Sequence, residues 1–198
     1  LAVANDSEST VSVLLGCGDG TFWPKTDFPT GSYPVAVAIG DVNGDQTPDL
    51  ALADREADTI SLLLGDGNGA FGAKTDFGTG DRPISVSIGD VNGDLNADLV
   101  TANSNSTTVS VLLGNGDGTF GTHADFTTGS APYSVVIEDL NGNQTPDLAV
   151  ANYNSATVSV LLGNGDGTFG TRRNLETGDS PISIAMGDLN EDHISDLA

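Results

Sequence analysis

Acidic and amide residues recur in a nine-residue segment whose side-chain oxygens could together hold a hard cation. In the first copy, residues at positions one, three, five and nine are Asp41, Asn43, Asp45 and Asp49. Calcium takes about six to eight oxygen ligands at roughly 2.3–2.6 Å, and alternate positions of a tight loop can direct side chains to one centre. Thr47, at position seven, would add its backbone carbonyl.

The same pattern recurs along the whole chain at a fixed interval. The segments begin at residues 41, 90, 139 and 188, so the period is 49 residues. The candidate ligands of the later copies are Asp90, Asn92, Asp94, Asn96 and Asp98; Asp139, Asn141, Asn143, Thr145 and Asp147; and Asp188, Asn190, Asp192, Ile194 and Asp196. A polar turn would also use Asp, Asn and Gly. Copies that keep one spacing while position six varies favour calcium, with three or four sites, one per repeat.

Two copies depart from the pattern. Asn143 replaces an acid in the third loop, and Glu191 replaces the glycine found at Gly44 in the first. Neighbouring carboxylates around an empty centre repel each other by about 1 kcal/mol per pair in water, and more where the local dielectric constant is lower. A cation removes that repulsion. We therefore expect the third loop, with one charge fewer, to bind calcium more weakly.

Alternating strand-like segments separated by turn residues must position these loops. Within one unit, residues 34–80, the segments are Val35–Ile39, Leu50–Ala53, Thr59–Leu64 and Phe71–Phe77, the last of them less apolar and therefore an outer edge. Four antiparallel strands cannot bury both faces of a sheet alone and must stack on neighbouring units. A period in the forties with four strands predicts an all-β fold, a β-propeller of four-stranded blades. A parallel β-helix would have shorter coils.

The repeats divide the chain into units of one propeller region spanning residues 1–198. The predicted units are approximately 1–33, 34–82, 83–131, 132–180, and 181–198 as an inner strand plus a calcium loop. The first unit begins at its second strand, and Ile182–Met186 supplies a further inner strand. We expect an arc of a larger ring; a four-bladed ring closed by pairing of the chain ends, or copies joined head to tail, are the alternatives.

A second recurring motif accompanies the acidic loop. Phe71-Gly72 precedes a Gly-x-x-Pro turn at Gly80, and Phe-Gly recurs at residues 120 and 169, whereas Trp23 replaces the glycine in the first unit. These residues resemble the FG-GAP or VCBS-type repeat, the blade of integrin α-chain propellers and of many bacterial secreted proteins. The resemblance covers essentially the whole chain. It implies a propeller, usually seven-bladed, calcium between the first and second strands, and extracellular adhesion or ligand binding.

Charge and composition narrow the possible partners. The 28 acidic and six basic residues give a net charge of −22, which would repel nucleic acid and anionic lipid. No apolar run approaches the length of a membrane span, so direct membrane insertion is not expected. A single cysteine allows no intrachain disulfide. The resemblance implies an extracellular, secreted or cell-surface protein, in which Asn5, Asn105 and Asn143 would be candidates for glycosylation.

Candidate catalytic residues do not converge on one site. The acids repeat with the blade, and His123 and His193 occupy non-equivalent positions without a nucleophile at a recognisable spacing. Glycine-rich runs such as residues 65–69 precede no helix and indicate hairpin turns. We therefore expect a non-enzymatic module that binds an extracellular protein or glycan, or copies of itself. A lectin-like propeller is the alternative, although its tyrosines are not regularly repeated, and a propeller-fold enzyme is the least favoured hypothesis.

Overall fold

The chain folds into successive antiparallel sheets. The computed structural model describes residues 1–191 and 194–198. The first sheet contains β1 (Ala2–Asn5), β2 (Thr10–Val13) and β3 (Thr26–Pro29). The second contains β4 (Pro34–Gly40), β5 (Asp49–Asp54), β6 (Thr59–Leu63) and β7 (Thr75–Gly78). The third contains β8 (Pro83–Gly89), β9 (Asp98–Asn103), β10 (Thr108–Leu112) and β11 (Ala124–Thr127).

The last two sheets continue the same order. The fourth contains β12 (Pro132–Glu138), β13 (Asp147–Asn152), β14 (Thr157–Leu161) and β15 (Arg173–Glu176), with a short 3₁₀ turn at Tyr153–Ser155. The fifth pairs β16 (Met186–Gly187) with β17 (Asp196–Leu197). In every sheet the strands are neighbours in sequence order, so each blade is an antiparallel meander. The prediction of an all-β fold with four-stranded blades is confirmed.

Apolar cores lie between consecutive sheets. Val11 of the first sheet packs with Leu52 and Leu63 of the second, and all three are fully buried. The inner strands also approach closely: a Cβ placed on Gly40 would lie 3.2 Å from Cδ1 of Ile88. Because each sheet buries its faces against its neighbours, the hydrophobic effect stabilises the stack rather than a single sheet.

The phenylalanine of the Phe-Gly motif joins neighbouring sheets. Phe71 contacts Phe28 edge to face, with ring centroids 5.2 Å apart. The same contact recurs between Phe77 and Phe120 and between Phe126 and Phe169, in both cases at 5.1 Å. Aromatic pairs of this geometry contribute about 0.5–1.5 kcal/mol beyond the area they bury. The motif therefore has a packing role between blades.

Two predicted strands are shorter than expected. The outer strand expected over Phe71–Phe77 is confined to Thr75–Gly78, because Phe71 instead forms an isolated bridge with Gly65 across the preceding hairpin turn. The inner strand expected over Ile182–Met186 is reduced to Met186–Gly187. Its partner strand is only two residues long, so few backbone groups can pair there.

The sheets follow one another as an arc. Each packs on the next in chain order, and within the described part of the chain no strand pairing joins the fifth sheet to the first. The structure thus agrees with the favoured expectation of an arc and contains no composite blade formed by the chain ends. None of the described helical segments is long and apolar enough to cross a membrane.

Candidate functional site

The acidic loops connect the first and second strands of successive blades. The loop at residues 41–49 leaves β4 and ends with Asp49, the first residue of β5. The loops at residues 90–98 and 139–147 occupy the same position in the next two sheets. All three lie at one end of the stack, because the strands that precede them run in equivalent directions. The sequence-predicted segments are therefore brought to one side of the molecule.

The ninth residue of each loop anchors it to a neighbouring turn. Asp49 is fully buried; its Oδ2 accepts a hydrogen bond from the Val42 amide at 2.9 Å and its Oδ1 one from the Gly65 amide at 2.8 Å. The same two bonds are made by Asp98 and by Asp147, over distances of 2.8–3.0 Å. In the fourth loop, the Leu189 amide donates to Asp196 at 2.9 Å.

Gly65 is a site residue that the sequence did not reveal. It begins a glycine-rich run that was interpreted only as a hairpin turn, yet its amide holds Asp49. A Cβ at this position would lie 2.2 Å from the carbonyl oxygen of Pro48, so no other residue fits without displacing the backbone. The regular recurrence of the glycine at Gly114 and Gly163 is the signal that could have identified it.

The first residue of the loop organises the backbone that follows it. Asp41 Oδ1 accepts a hydrogen bond from the Gly44 amide at 2.8 Å, and Oδ2 accepts one from the Gln46 amide at 2.8 Å. Gly44 has a φ of 76°, in the left-handed region that glycine adopts without a steric cost. Gln46 also has a left-handed φ of 67°, as does Leu95 at 70°. The variable sixth position is therefore constrained in backbone conformation, although not in side chain.

The fifth residue shows how the loops differ. Asp45 Oδ1 accepts hydrogen bonds from the amide and hydroxyl of Thr47 at 2.8 and 2.6 Å, which hold the pKa of Asp45 below its ordinary value. Its Oδ2 accepts a bond from Asn43 Nδ2 at 3.0 Å. In the third loop, Asn143 Oδ1 still accepts the amide of residue 145 at 2.8 Å. Asn141, however, turns away and donates to the ninth residue at 3.0 Å.

Electrostatic repulsion acts within the first two loops. Burial raises the pKa of Asp49 above its ordinary value, and the charges of Asp45 and Asp41 raise it further, against the amide hydrogen bonds that lower it. The pKa of Asp98 is raised in the same way, with Asp94 and Asp90 as the nearby charges. The carboxylates are thus close enough to oppose one another's ionisation. A cation among them would reverse that effect.

The loop side chains face their own backbone amides. Among the described residues, no group of three Asp, Glu, His or Cys side chains has the arrangement that a metal ion requires. The donor set is nonetheless entirely oxygen, and an ionised carboxylate has about four acceptor positions, so amide bonds do not exhaust it. Asp188, Asn190 and Ile194 each make further interactions. Asp192 and His193 lie outside the residues that the structure describes.

The first two loops also lie against the next blade. A Cβ on Gly44 would approach the carbonyl oxygen of Gly116, in the glycine-rich turn of the third sheet, to 3.7 Å. Gly93 has the same relation to Gly165 in the fourth sheet, at 3.9 Å. An ion held by a loop would therefore sit at a junction between two consecutive sheets.

The opposite end of the stack carries non-repeating aromatic and basic side chains. Tyr133 and Tyr153 of the fourth sheet stack with ring centroids 4.8 Å apart and planes inclined by 25°. In the second sheet, the Arg55 guanidinium lies 5.5 Å from the centroid of the Tyr33 ring. Tyr33, Tyr133 and Tyr153 are the tyrosines that the lectin-like alternative would use, and the structure brings Tyr133 and Tyr153 together.

Solved structures with the same fold support the architecture. No curated protein matches the chain in sequence. A lectin from Agrocybe aegerita, described as recognising non-reducing terminal N-acetylglucosamine, is 24% identical with a TM-score of 0.65; the match covers 94% of this chain and 54% of the lectin. A functionally unknown protein from Desulfotomaculum acetoxidans is 15% identical with a TM-score of 0.60, over 91% of this chain and 58% of that one. The chain thus spans little more than half of either protein.

A third structure and a family model complete the comparison. The V. cholerae biofilm matrix protein Bap1 is 16% identical with a TM-score of 0.51, over 93% of this chain and 30% of Bap1. These low identities establish similarity of fold alone. The family model described as FG-GAP-like repeat matches residues 1–52, 41–101, 90–150 and 139–198, which together span the chain. The chain therefore belongs to the family of FG-GAP-like repeat proteins, with a β-propeller type of architecture.

Proposed function

We propose that this chain is a calcium-stabilised extracellular propeller module that serves adhesion, protein binding or assembly of a surface structure. The observation that supports it best is the recurrence of one acidic loop, with one hydrogen-bonding plan, at successive sheet junctions. Repulsion among the loop carboxylates opposes folding in the absence of a cation. A divalent ion at each junction would remove this repulsion and hold consecutive blades together.

The residues present fit such an ion in their chemistry. In the first loop, Asp41, Asn43, Asp45 and Asp49 would hold calcium together with the carbonyl of Thr47, all through oxygen. Asn43 and Asp45 now contact each other, and that contact would yield to the ion. Free calcium about 100-fold above the dissociation constant would add about 2.7 kcal/mol of stability per site. Extracellular calcium modules typically bind at roughly 10⁻⁴–10⁻³ M, so that millimolar calcium would add about 0.4–1.4 kcal/mol per site.

The charge of the chain supports the proposed location and disfavours two classes of partner. A net charge of −22 disfavours nucleic acid and anionic membrane surfaces and is compatible with millimolar calcium outside the cell. The acids recur once per blade instead of converging on one centre, which supports a binding module rather than an enzyme. The partner would be an extracellular protein or glycan, or another copy of the chain.

Calcium titration tests the metal proposal directly. Isothermal titration calorimetry of the chelator-treated protein should show three or four calcium sites, with magnesium binding much more weakly because it demands a smaller, near-octahedral shell. A triple variant, Asp45→Ala, Asp94→Ala and Asn143→Ala, is the matched control and should lose most of the heat. Absence of binding in millimolar calcium would refute the proposal.

Carbohydrate binding is a second candidate function. It is favoured by the stacked pair of Tyr133 and Tyr153, because aromatic faces bind the apolar faces of sugars. The lectin of the same fold lends it further support. A glycan array probed with the parent chain and with Tyr153→Ala provides the test. A signal lost in the variant would support this function, and an empty array would leave protein binding as the preferred role.

A further inference from the structure

A polar network crosses the sheets at the end opposite the acidic loops. In the third sheet, Asn103 Nδ2 donates to Ser110 Oγ at 2.9 Å, and Ser110 Oγ donates to Asp125 Oδ1 at 2.7 Å. The amide of Gly80, in the segment arriving from the second sheet, also donates to Ser110 Oγ at 2.9 Å. A serine hydroxyl offers one proton and two acceptor positions. All three are used here, and the connecting segment is thereby fastened to the sheet.

The first and fourth sheets build the network from the same kind of donor. Their corresponding residues are Asn5, Ser12 and Asp27 in the first sheet and Asn152, Ser159 and Asn174 in the fourth. In each, the asparagine amide donates to the serine over 2.8–2.9 Å, and the serine donates onward over 2.6–2.9 Å. A side-chain N–H at the asparagine position is therefore what the network requires.

The second sheet has an acid where the others have asparagine. Ser61 gives its one proton to Asp76 Oδ1 at 2.8 Å and accepts the amide of Gly31 at 2.8 Å. Its remaining acceptor position is left for Asp54, which is fully buried and, when ionised, competes with Asp76 for the Ser61 proton. An ionised carboxylate has no proton for that position. Among the described residues, nothing donates to Asp54 Oδ1.

The surroundings of Asp54 disfavour its charged form. Burial raises the pKa of Asp54 to about 6, and the charge of Asp76 raises it as well, against the hydrogen bond of Ser61, the charge of Lys74 and the hydrogen bond of Thr59, which lower it. Asp76 and Lys74 are the charged groups that act on it from the neighbouring outer strand and its approach. Thr59 Oγ1 is a distant donor at 3.4 Å. The segment between the first two sheets passes so closely that a Cβ on Gly31 would lie 2.5 Å from Asp54 Oδ2.

We propose that Asp54 is a proton-controlled fastening between the first and second sheets. As a neutral acid it donates to Ser61, as asparagine does in the other sheets, and Gly31 stays bound to the same hydroxyl. As a carboxylate it competes with Asp76 for the Ser61 proton and presents a buried negative charge to the connecting segment. The junction between these two sheets is therefore tighter at mildly acidic pH than at neutral pH. The acidic loops and calcium have no part in this mechanism.

The direction of the pH effect follows from linkage. The folded protein holds the Asp54 proton with a pKa of about 6, above the ordinary value of 3.8 expected after unfolding. Between these values the folded state binds more protons, so the contribution to stability is complete below the lower value and is lost as the pH rises to the upper one. Above the upper pKa, the contribution of Asp54 to stability remains lost. It corresponds to a change on the order of 100-fold in the unfolding equilibrium constant.

Two reciprocal substitutions test the fastening by chemical denaturation. Asp54→Asn should lower the unfolding equilibrium constant at neutral pH, by up to the order of 100-fold, and should change it little at about pH 4. Asn103→Asp places the same acid in the third sheet. It should raise the unfolding equilibrium constant at neutral pH and change it little at about pH 4. Subtracting the unfolding free energy of the parent protein at each pH removes the general effect of the net charge. No gain from Asp54→Asn at neutral pH would overturn the proposal.

Hydrogen exchange of the parent protein provides a second measurement. The protection factor of the Gly31 amide, corrected for intrinsic exchange, should fall as the pH rises from about 5 to neutral. The Gly80 amide, bound to Ser110 beside an asparagine, is the internal control and should keep its protection. Equal pH responses of the two amides would contradict a role for Asp54 in holding the first junction.

Discussion

The two ends of each blade differ in how regularly their side chains and hydrogen bonds recur from sheet to sheet. At the acidic-loop end, Asp49, Asp98 and Asp147 make the same pair of amide hydrogen bonds in three consecutive sheets. At the opposite end, equivalent positions carry different chemistry. A stacked tyrosine pair lies on the fourth sheet, and an arginine over the Tyr33 ring lies on the second. One end is repeated throughout, whereas at the other end the aromatic and basic side chains differ from blade to blade.

On the proposed function, this difference separates a scaffold end of the blade from a recognition end. Buried backbone amides must find acceptors, and the acidic loop supplies them in one way that every blade can use. The turns at the other end leave their side chains free of this constraint, so each blade can present its own surface. We infer that ions act on the repeated end and that a selective partner binds the variable end. Substitutions at the two ends should therefore have different consequences.

Removal of the metal should have the largest effect and should act through the repeated end alone. A chelator is expected to lower the melting temperature by many degrees, because each occupied site contributes about 2.7 kcal/mol at 100-fold excess calcium. Differential scanning calorimetry in chelator, in calcium and in magnesium measures this. Calcium should restore the parent melt. An identical melt in excess chelator would remove the distinction between the two ends.

Substitution of the anchoring aspartate should lower the free energy of unfolding both with and without metal. Asp98→Ala leaves the buried amides of Val91 and Gly114 without their acceptor, at a cost of about 1–3 kcal/mol for each. Asp94→Ala is the matched control in the same loop, because Asp94 is exposed and should stabilise only the calcium-bound form. Urea unfolding in chelator and in calcium separates them. Equal losses in chelator would show that Asp98 has no special structural role.

Charge should distinguish the first loop from the third. Asp45→Ala is expected to weaken calcium binding more than Asn143→Ala, because only the former removes a negative charge. Both substitutions remove the acceptor for the amide two residues later, at 2.8 Å in each case, and Asp45→Ala also removes the acceptor for the Thr47 hydroxyl and for Asn43 Nδ2. Calorimetric titration of the two variants gives the affinities. Equal effects would mean that the third loop binds as well as the first.

A substitution at the variable end should have the smallest effect on stability. Tyr153→Ala removes one ring of the stacked pair but no buried backbone acceptor, so the free energy of unfolding should change by about 1 kcal/mol or less. Calcium affinity should not change. Binding to an immobilised glycan or protein partner should be lost. A large fall in calcium affinity would contradict the separation of the two ends.

Much of the fold and the loop was predictable because both depend on local, repeated patterns. The alternation in Thr59–Leu64 predicts a strand, and the structure has one at Thr59–Leu63. The loop at residues 41–49 was located by the spacing of its oxygens. The extent of the outer strand was predicted wrongly, because Phe71 pairs across the hairpin with Gly65 and packs on Phe28 of the previous sheet. Such packing depends on a neighbour that lies outside the local pattern.

The sequence alone determined the period, the all-β class and the identity of the loop oxygens, because strand alternation and turn chemistry are read over a few residues. Only the tertiary structure decided that Asp49 binds Gly65 and that Asp54 is buried beneath Gly31. Asp54 and Asn103 occupy equivalent places in the repeat, and either could begin a polar turn. Their surroundings require the same hydrogen-bond donor, which asparagine supplies at any pH and aspartic acid only when protonated, because burial and proximity arise from strands and sheets that are distant in the chain.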